Sequence, residues 1–213
     1  RPPRSTLFPY TTLFRSLVEY FASRKKQHRE NFDFTALHVS SDFAPPLDSR
    51  LIDLFGSWGV EPVILDVDVI GRLKEGKKMN CWWCSTQRRT ELNNYAIEHG
   101  YNKIALGHHM DDILETLLMN ALSKGELSTM IPRLKYEKYP VTVIRPLCFA
   151  DVDSIILHAT QNGYISVTCT CDYQSNSSRK KARSRLQALT DGNPDEKRKL
   201  FEALRNVKKE YLP

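Results

Sequence analysis

No run of about eighteen apolar residues occurs in this 213-residue chain, so nothing in it reads as a membrane-spanning helix. The N-terminus also lacks the basic, apolar and small-residue succession of a secretion signal. Cysteines are few and odd in number: Cys81, Cys84, Cys148, Cys169 and Cys171. Four of them stand in two close pairs, which disfavours a disulfide framework and favours metal ligation by thiolates. The expected setting is a reducing cytoplasm, with no membrane partner. Acids are scarce near the C-terminus, where from Arg179 to Pro213 eleven Lys and Arg face five acids, an excess equal to the whole chain's net charge of +6. A basic tail on a neutral body points to a polyanionic partner, because clustered cations gain affinity by releasing phosphate counterions. The plainer reading of that tail is a solvated helix face.

The first sixteen residues, RPPRSTLFPYTTLFRS, hold no acid and no Lys, three Arg and three Pro, and follow neither helical nor strand periodicity. They read as a translated sequencing-adaptor tail joined to a truncated reading frame, and are set outside the fold. A helix entered partway begins at Leu17. Strands are expected at Phe34–Ser40, Val63–Val69, Lys103–Leu106, Val141–Ile144 and Ile165–Thr168, and helices at Pro46–Trp58, around Leu92, around Leu117 and at Val152–Gln161. Ser85 is the expected N-cap and Gly100 the expected stop of the second of these helices. Basic helices close the chain. The alternation predicts an α/β fold, a mostly parallel sheet with helices on both faces. Asp42, Gly107, His108, Asp111 and Arg145 all follow strands and should share the ligand-binding edge. The expected division is a tail at 1–16, an α/β domain at 17–175 and a basic helical extension at 176–213.

Two stretches carry chemistry. Cys81-Trp82-Trp83-Cys84 spaces two thiolates for a metal or cluster, and Cys169-Thr-Cys171 makes three or four ligands available. Four thiolates would suit a structural zinc site and three an iron-sulfur cluster with one iron open. Trp82 and Trp83 would shield the centre. Cys148, in Pro-Leu-Cys-Phe-Ala, reads as a small buried hydrophobe. The second stretch, Gly107-His108-His109-Met110-Asp111-Asp112, opens a helix after a strand. Gly107 permits close backbone approach, the helix N-terminus favours an anion, and a carboxylate pair there can hold Mg²⁺ against phosphate oxygens. Helix capping by Asp111 or Asp112 would explain the acids without chemistry, but not the two histidines. Arg88 and Arg89 could neutralise phosphate or cluster charge, and, being adjacent, should not both face the site.

These motifs, with Ile144-Arg145-Pro146-Leu147 and Asn176-Ser-Ser-Arg179, resemble the tRNA 2-thiocytidine synthetase family of the ATP-pyrophosphatase (PP-loop) superfamily, from about Leu17 to about Leu189. The resemblance implies a Rossmann-like fold of the adenine nucleotide alpha hydrolase type and ATP-dependent sulfur insertion into a tRNA base. The base carbonyl is adenylated, AMP leaves, and a [4Fe-4S] cluster delivers sulfur. It implies Cys81, Cys84 and Cys169 as cluster ligands, with Cys171 the alternative third. It implies Asp111, Asp112 and Arg88 as catalytic residues, and Gly107, His108 and Asp111 around ATP and Mg²⁺. The basic C-terminal helices would hold tRNA; a cysteine desulfurase or free sulfide would donate sulfur, and a homodimer is one assembly open to it.

The family's Ser-Gly-Gly-x-Asp-Ser phosphate loop is absent, so the first strand and the ATP cradle are expected to be missing, a sheet edge exposed and the chain inactive as written. Two other readings compete: another ATP-dependent amidotransferase or synthetase on the same fold, and a nucleic-acid-binding protein with a four-cysteine zinc site.

Overall fold

In the computed structural model, which describes residues 4–7, 11–27, 31–42, 46–164 and 178–211, strands and helices alternate. The order is β1 (Arg4–Leu7), α1 (Thr11–Lys26), β2 (Asp33–Ser41), α2 (Ser49–Ser57), β3 (Val63–Val67), α3 (Cys81–Glu98), β4 (Lys103–Ala105) and α4 (Met110–Lys124). Strands β5 (Arg133–Lys135) and β6 (Thr142–Ile144) precede α5 (Val152–Gln161), α6 (Ser178–Thr190) and α7 (Pro194–Ala203). The sheet runs β3-β2-β1-β4-β6-β5, parallel throughout except for β5. This is the expected α/β, Rossmann-like, mostly parallel architecture. Edge strand β5 escaped the sequence because Arg133-Leu134-Lys135 offers a single apolar residue between two cations, with no apolar run to mark it. The strand expected at Ile165–Thr168 lies outside the described residues.

Side chains of β2 alternate between two cores. Leu37 and Val39 pack with Leu92 and Ala96 of α3, while Phe34 and Ala36 pack with Phe14, Leu17 and Phe21 of α1 and Phe55 of α2. Period-two alternation thus places α3 on one face and α1 with α2 on the other. A third cluster joins Met110, Ile113 and Leu114 of α4 to Leu186 of α6 and Phe201 of α7.

The expectation of a missing first strand is corrected. β1 lies between β2 and β4, with Thr6 in register with Thr35 and Ile104, so no edge is exposed there. The apolar stripe of α1 does not start at Leu17: Phe14, Leu17, Val18 and Phe21 form one buried helical face, and the helix begins at Thr11. The segment set aside as foreign therefore supplies a strand and the opening of a helix.

The cap of α3 is also corrected. Asn80, not Ser85, sits extended before the helix, and its side chain accepts the Trp83 N–H at 2.9 Å; the Ser85 hydroxyl donates to the Trp82 carbonyl instead. Cys81 is consequently the first residue of α3, and Cys84 lies one turn along. Among the described residues, no helix is long and apolar enough to cross a membrane.

Candidate active site

Strand order reverses at β1: the chain steps outward through β2 and β3, then returns to place β4 on β1's other side. Loops leaving the carboxyl ends of β1 and β4 diverge at such a reversal, which makes the natural ligand crevice of a parallel sheet. Gly107 follows β4 there. A Cβ on it would lie 3.1 Å from Leu13 Cβ, so the close approach that glycine permits is that of α1's first turns.

His108 comes next, mostly buried, and its Nδ1 accepts a hydrogen bond from Arg145 Nε at 3.3 Å. Burial pushes His108 down to about 4; Asp112 opposes the shift, and Arg145, Arg179 and Arg89 add to it. The imidazole is therefore neutral, with its proton on Nε2. Arg145, just beyond β6, is buried, donates to the Ile131 carbonyl and has its own pKa lowered by burial. Arg89 is felt at both His108 and Arg145, whereas Arg88 is felt at His38 of β2. Arg89 is thus one of the charges of this cluster.

His109, not Asp111 or Asp112, is the N-cap of α4. Its Nδ1 accepts from the Asp112 N–H at 3.4 Å, and Asp112 Oδ2 accepts from the His109 N–H at 3.2 Å, closing a capping box. Asp111, buried, accepts from the Val152 N–H at 3.0 Å and pairs with Lys197 Nζ at 2.8 Å. Asp112 pairs with Arg179 at 2.7 Å, and Glu115, one turn further along, pairs with Arg183 at 2.7 Å. Each oxygen of Asp111 and Asp112 thus already accepts from a donor. Burial pulls the Lys197 ammonium down, but the Asp111 carboxylate more than offsets it, so its pKa is raised.

Three cations of the basic tail therefore pair with acids of α4, Lys197 from a buried position and Arg179 and Arg183 from the surface, and sequence reasoning missed this use of them. A signal was available: Lys197 precedes Leu200, Phe201 and Leu204 by three, four and seven residues, a charge on an apolar helical face.

Cys84, half-buried, packs beside Trp83 against the core on the α3 side. Cys148 is buried against α4, and burial raises its thiol pKa. Cys169 and Cys171 lie outside the described residues. Among the described residues, no group of three or more potential ligands gathers. Asp42, after β2, accepts from the Val69 and Ile70 N–H groups and so fixes the loop leading to α3.

No protein-family model matches the chain. A tRNA-cytidine(32) 2-sulfurtransferase of Anaeromyxobacter sp. (strain Fw109-5) is 36% identical over 192 residues, 87% of this chain and 63% of that protein. The protein of the same name from Marinobacter nauticus (strain ATCC 700491 / DSM 11845 / VT8) is 32% identical over 201 residues, 92% of this chain and 67% of that protein. The chain belongs to the tRNA-cytidine(32) 2-sulfurtransferase family. It spans about half to two thirds of the length of these relatives, the share falling to 50% for the Legionella pneumophila (strain Corby) member, which is 38% identical over 142 residues.

Among solved structures, the U34-tRNA thiolase NcsA from Methanococcus maripaludis with its [4Fe-4S] cluster superposes with a TM-score of 0.74 at 22% identity, covering 97% of this chain and 73% of the thiolase. The NH3-dependent NAD synthetase from Campylobacter jejuni superposes with a TM-score of 0.50 at 12% identity, over 98% of this chain and 87% of the synthetase. At these identities the likeness is one of fold. For this family member, the residues at the reversal point are Gly107, His108, Arg145 and the capped start of α4.

Proposed function

We propose that this chain is the core of a tRNA-thiolating enzyme of the 2-thiocytidine type, with a [4Fe-4S] cluster on Cys81, Cys84 and Cys169, or Cys171 in place of the last. The observation that carries the reading is the position of Cys81 and Cys84, three residues apart on the first turn of α3 in a member of this family. Residues three apart lie on one helical face, a spacing that suits one metal centre, and the positive end of the helix dipole favours an anionic centre. When bound, the cluster would supply an iron free of protein ligands to carry sulfur.

The chain's own groups divide the remaining work. Arg145 and Arg89, with neutral His108 between them in charge terms, form a basic lining suited to a phosphate of the substrate. We place Arg89 rather than Arg88 in that role. Asp111 and Asp112 stand at the edge as the carboxylates nearest this lining in sequence. Magnesium does not fit them as they stand, because Lys197 and Arg179 would have to leave first.

ATP fits no better. The sequence between β1 and α1 is Phe8-Pro9-Tyr10, which has no glycine for close approach and, at Pro9, no N–H to offer a phosphate. Adenylation therefore belongs to a chain in which the phosphate loop replaces this adaptor-like segment, and the chain as written is inactive in that step. tRNA is the proposed substrate, a cysteine desulfurase or free sulfide the sulfur source, and a cytoplasmic homodimer one assembly consistent with the reading.

The test is anaerobic incubation of cluster-loaded protein with tRNA, ATP and sulfide, followed by mass spectrometry of the nucleosides. A version with Ser-Gly-Gly-x-Asp-Ser rebuilt after β1 should form 2-thiocytidine, and the chain as written should not. Absence of thiolated nucleoside from the rebuilt protein, despite a full cluster, would sink the proposal.

A further inference from the structure

Trp82 and Trp83 are neighbours in sequence with opposite surroundings. Trp83 is half-buried, donates its indole N–H to the Val69 carbonyl at 3.1 Å, and its backbone N–H is taken by Asn80 at 2.9 Å. It thereby ties both ends of the loop 69–80 to the start of α3. Within that loop, Arg72 pairs with Glu91 of α3 at 2.5 Å and the Lys77 N–H closes a turn on the Lys74 carbonyl at 3.0 Å. The loop is thus a pinned excursion beside the cysteines.

Trp82 is 71% exposed, with Ile70 beside the loop's start at 50%. A lone exposed apolar residue needs no explanation, but this ring follows directly on a loop whose exposed lysines outnumber its acids. Lys74, Lys77 and Lys78 are all exposed, and Glu75 is the only acid between Ile70 and Asn80. Lys77 and Lys78 precede Trp82 by five and four residues, which keeps them within roughly 14–18 Å of it.

We propose that Trp82 is a stacking platform for a base of single-stranded RNA, with Lys74, Lys77 and Lys78 holding the flanking phosphates. This rests on the tRNA-substrate reading above and adds a place where the RNA is held next to the cluster cysteines. Stacking suits any base because every base has a π-face, and the lysines suit the backbone that joins bases. A second copy of this chain fits less well: a two-fold contact centred on Trp82 would bring the lysine loops of both copies together, and juxtaposed like charges oppose association. Burial of Lys197 against Asp111, and the pairing of Arg179 and Arg183 with Asp112 and Glu115, also leave the tail less free positive charge to offer RNA.

The experiment is fluorescence anisotropy with an unmodified tRNA transcript and a single-stranded, cytidine-containing oligoribonucleotide. It compares the wild-type chain with Trp82→Ala, Trp82→Phe and Lys77→Ala/Lys78→Ala, with iron content measured on each. Trp82→Ala should weaken oligonucleotide binding roughly 5- to 100-fold with iron content unchanged, and Trp82→Phe should restore most of the loss. The double lysine variant should lower the slope of log affinity against log salt by about 0.7 per lysine. Wild-type binding with an unaltered Trp82→Ala affinity overturns the platform and leaves the thiolation reading standing. A Trp82→Ala change in oligomeric state at unchanged RNA affinity assigns the face to a second copy and overturns it as well. No RNA binding by the wild-type chain overturns both readings.

Discussion

Lys197 of α7 and Asp111 of α4 form a buried ion pair, with Nζ 2.8 Å from Oδ1 and only 6% and 7% of the two side chains exposed. The pair fastens the last long helix to the carboxyl edge of β4, so the basic extension is part of the site's framework rather than a loose appendage. Removing one partner of a buried pair leaves an uncompensated charge, at a cost of about 3–5 kcal/mol. Lys197→Met should lower stability by about that amount in urea unfolding, and Lys197→Met/Asp111→Asn should recover a large part of it, since Asn still accepts from the Val152 N–H. A Lys197→Met midpoint equal to wild type would show that the pair contributes nothing.

Gly107 gives a second prediction. A methyl group there meets Leu13 Cβ at 3.1 Å, tighter than ordinary packing, so α1 must shift away from the end of β4. Gly107→Ala should cost about 1–3 kcal/mol, the usual range for overpacking. Leu13→Ala in the same chain should relieve much of it, a coupling that a double-mutant cycle reads directly. Additive single effects would mean that the two residues do not touch.

Acid sensitivity follows from two histidines. Burial pushes His38 down from 6.5 to about 4, with Arg88 adding and Asp66 opposing, and His108 falls to about 4 as described. In the unfolded chain both titrate near the ordinary value. Between pH 6.5 and about 4 the unfolded state therefore binds more protons than the folded one. Stability is fully present above this window and is lost as pH falls through it, by up to about 1.4 kcal/mol per pH unit for each histidine. Urea midpoints should fall steadily over that range, and His38→Asn should remove one of the two contributions. A flat profile across the window contradicts the assignment.

Much of the fold was legible because its signals are local. Phe34–Ser40 and Val63–Val69 read as strands from β-rich apolar runs, and Val152–Gln161 read as a helix from its spacing; its Asp151 cap appears only in the structure. Three features escaped for different physical reasons. β1 is four residues whose partners are β2 and β4, far along the chain, so nothing within Arg4–Leu7 marks it. The α3 cap depended on which of Asn80 and Ser85 adopted extended backbone, and it is Asn80, next to the point where Trp83 bonds the Val69 carbonyl. The pairing of Asp111, Asp112 and Glu115 with Lys197, Arg179 and Arg183 spans more than sixty residues of sequence, and only the packing of α6 and α7 on α4 brings those charges together. The sequence supplied the acids and the bases; tertiary packing decided that they would neutralise one another.

Nucleotide binding provides a prediction that separates this chain from a family member carrying the phosphate loop. With Phe8-Pro9-Tyr10 where glycines would cradle phosphate, calorimetric titration with Mg-ATP should detect no binding in the micromolar range, and restoring Ser-Gly-Gly-x-Asp-Ser should produce it. Micromolar ATP binding by the chain as written would overturn this part of the account.

The most direct test of the central claim is anaerobic iron and sulfide analysis, with an electron paramagnetic resonance spectrum, on the reconstituted chain and its cysteine variants. About four irons and four sulfides per chain are predicted for wild type. They should be lost in Cys81→Ala and Cys84→Ala and kept in Cys148→Ala, while Cys169→Ala and Cys171→Ala decide the third ligand. Stoichiometric zinc without iron, unchanged after anaerobic reconstitution, would contradict the cluster and move the cysteines to a structural site.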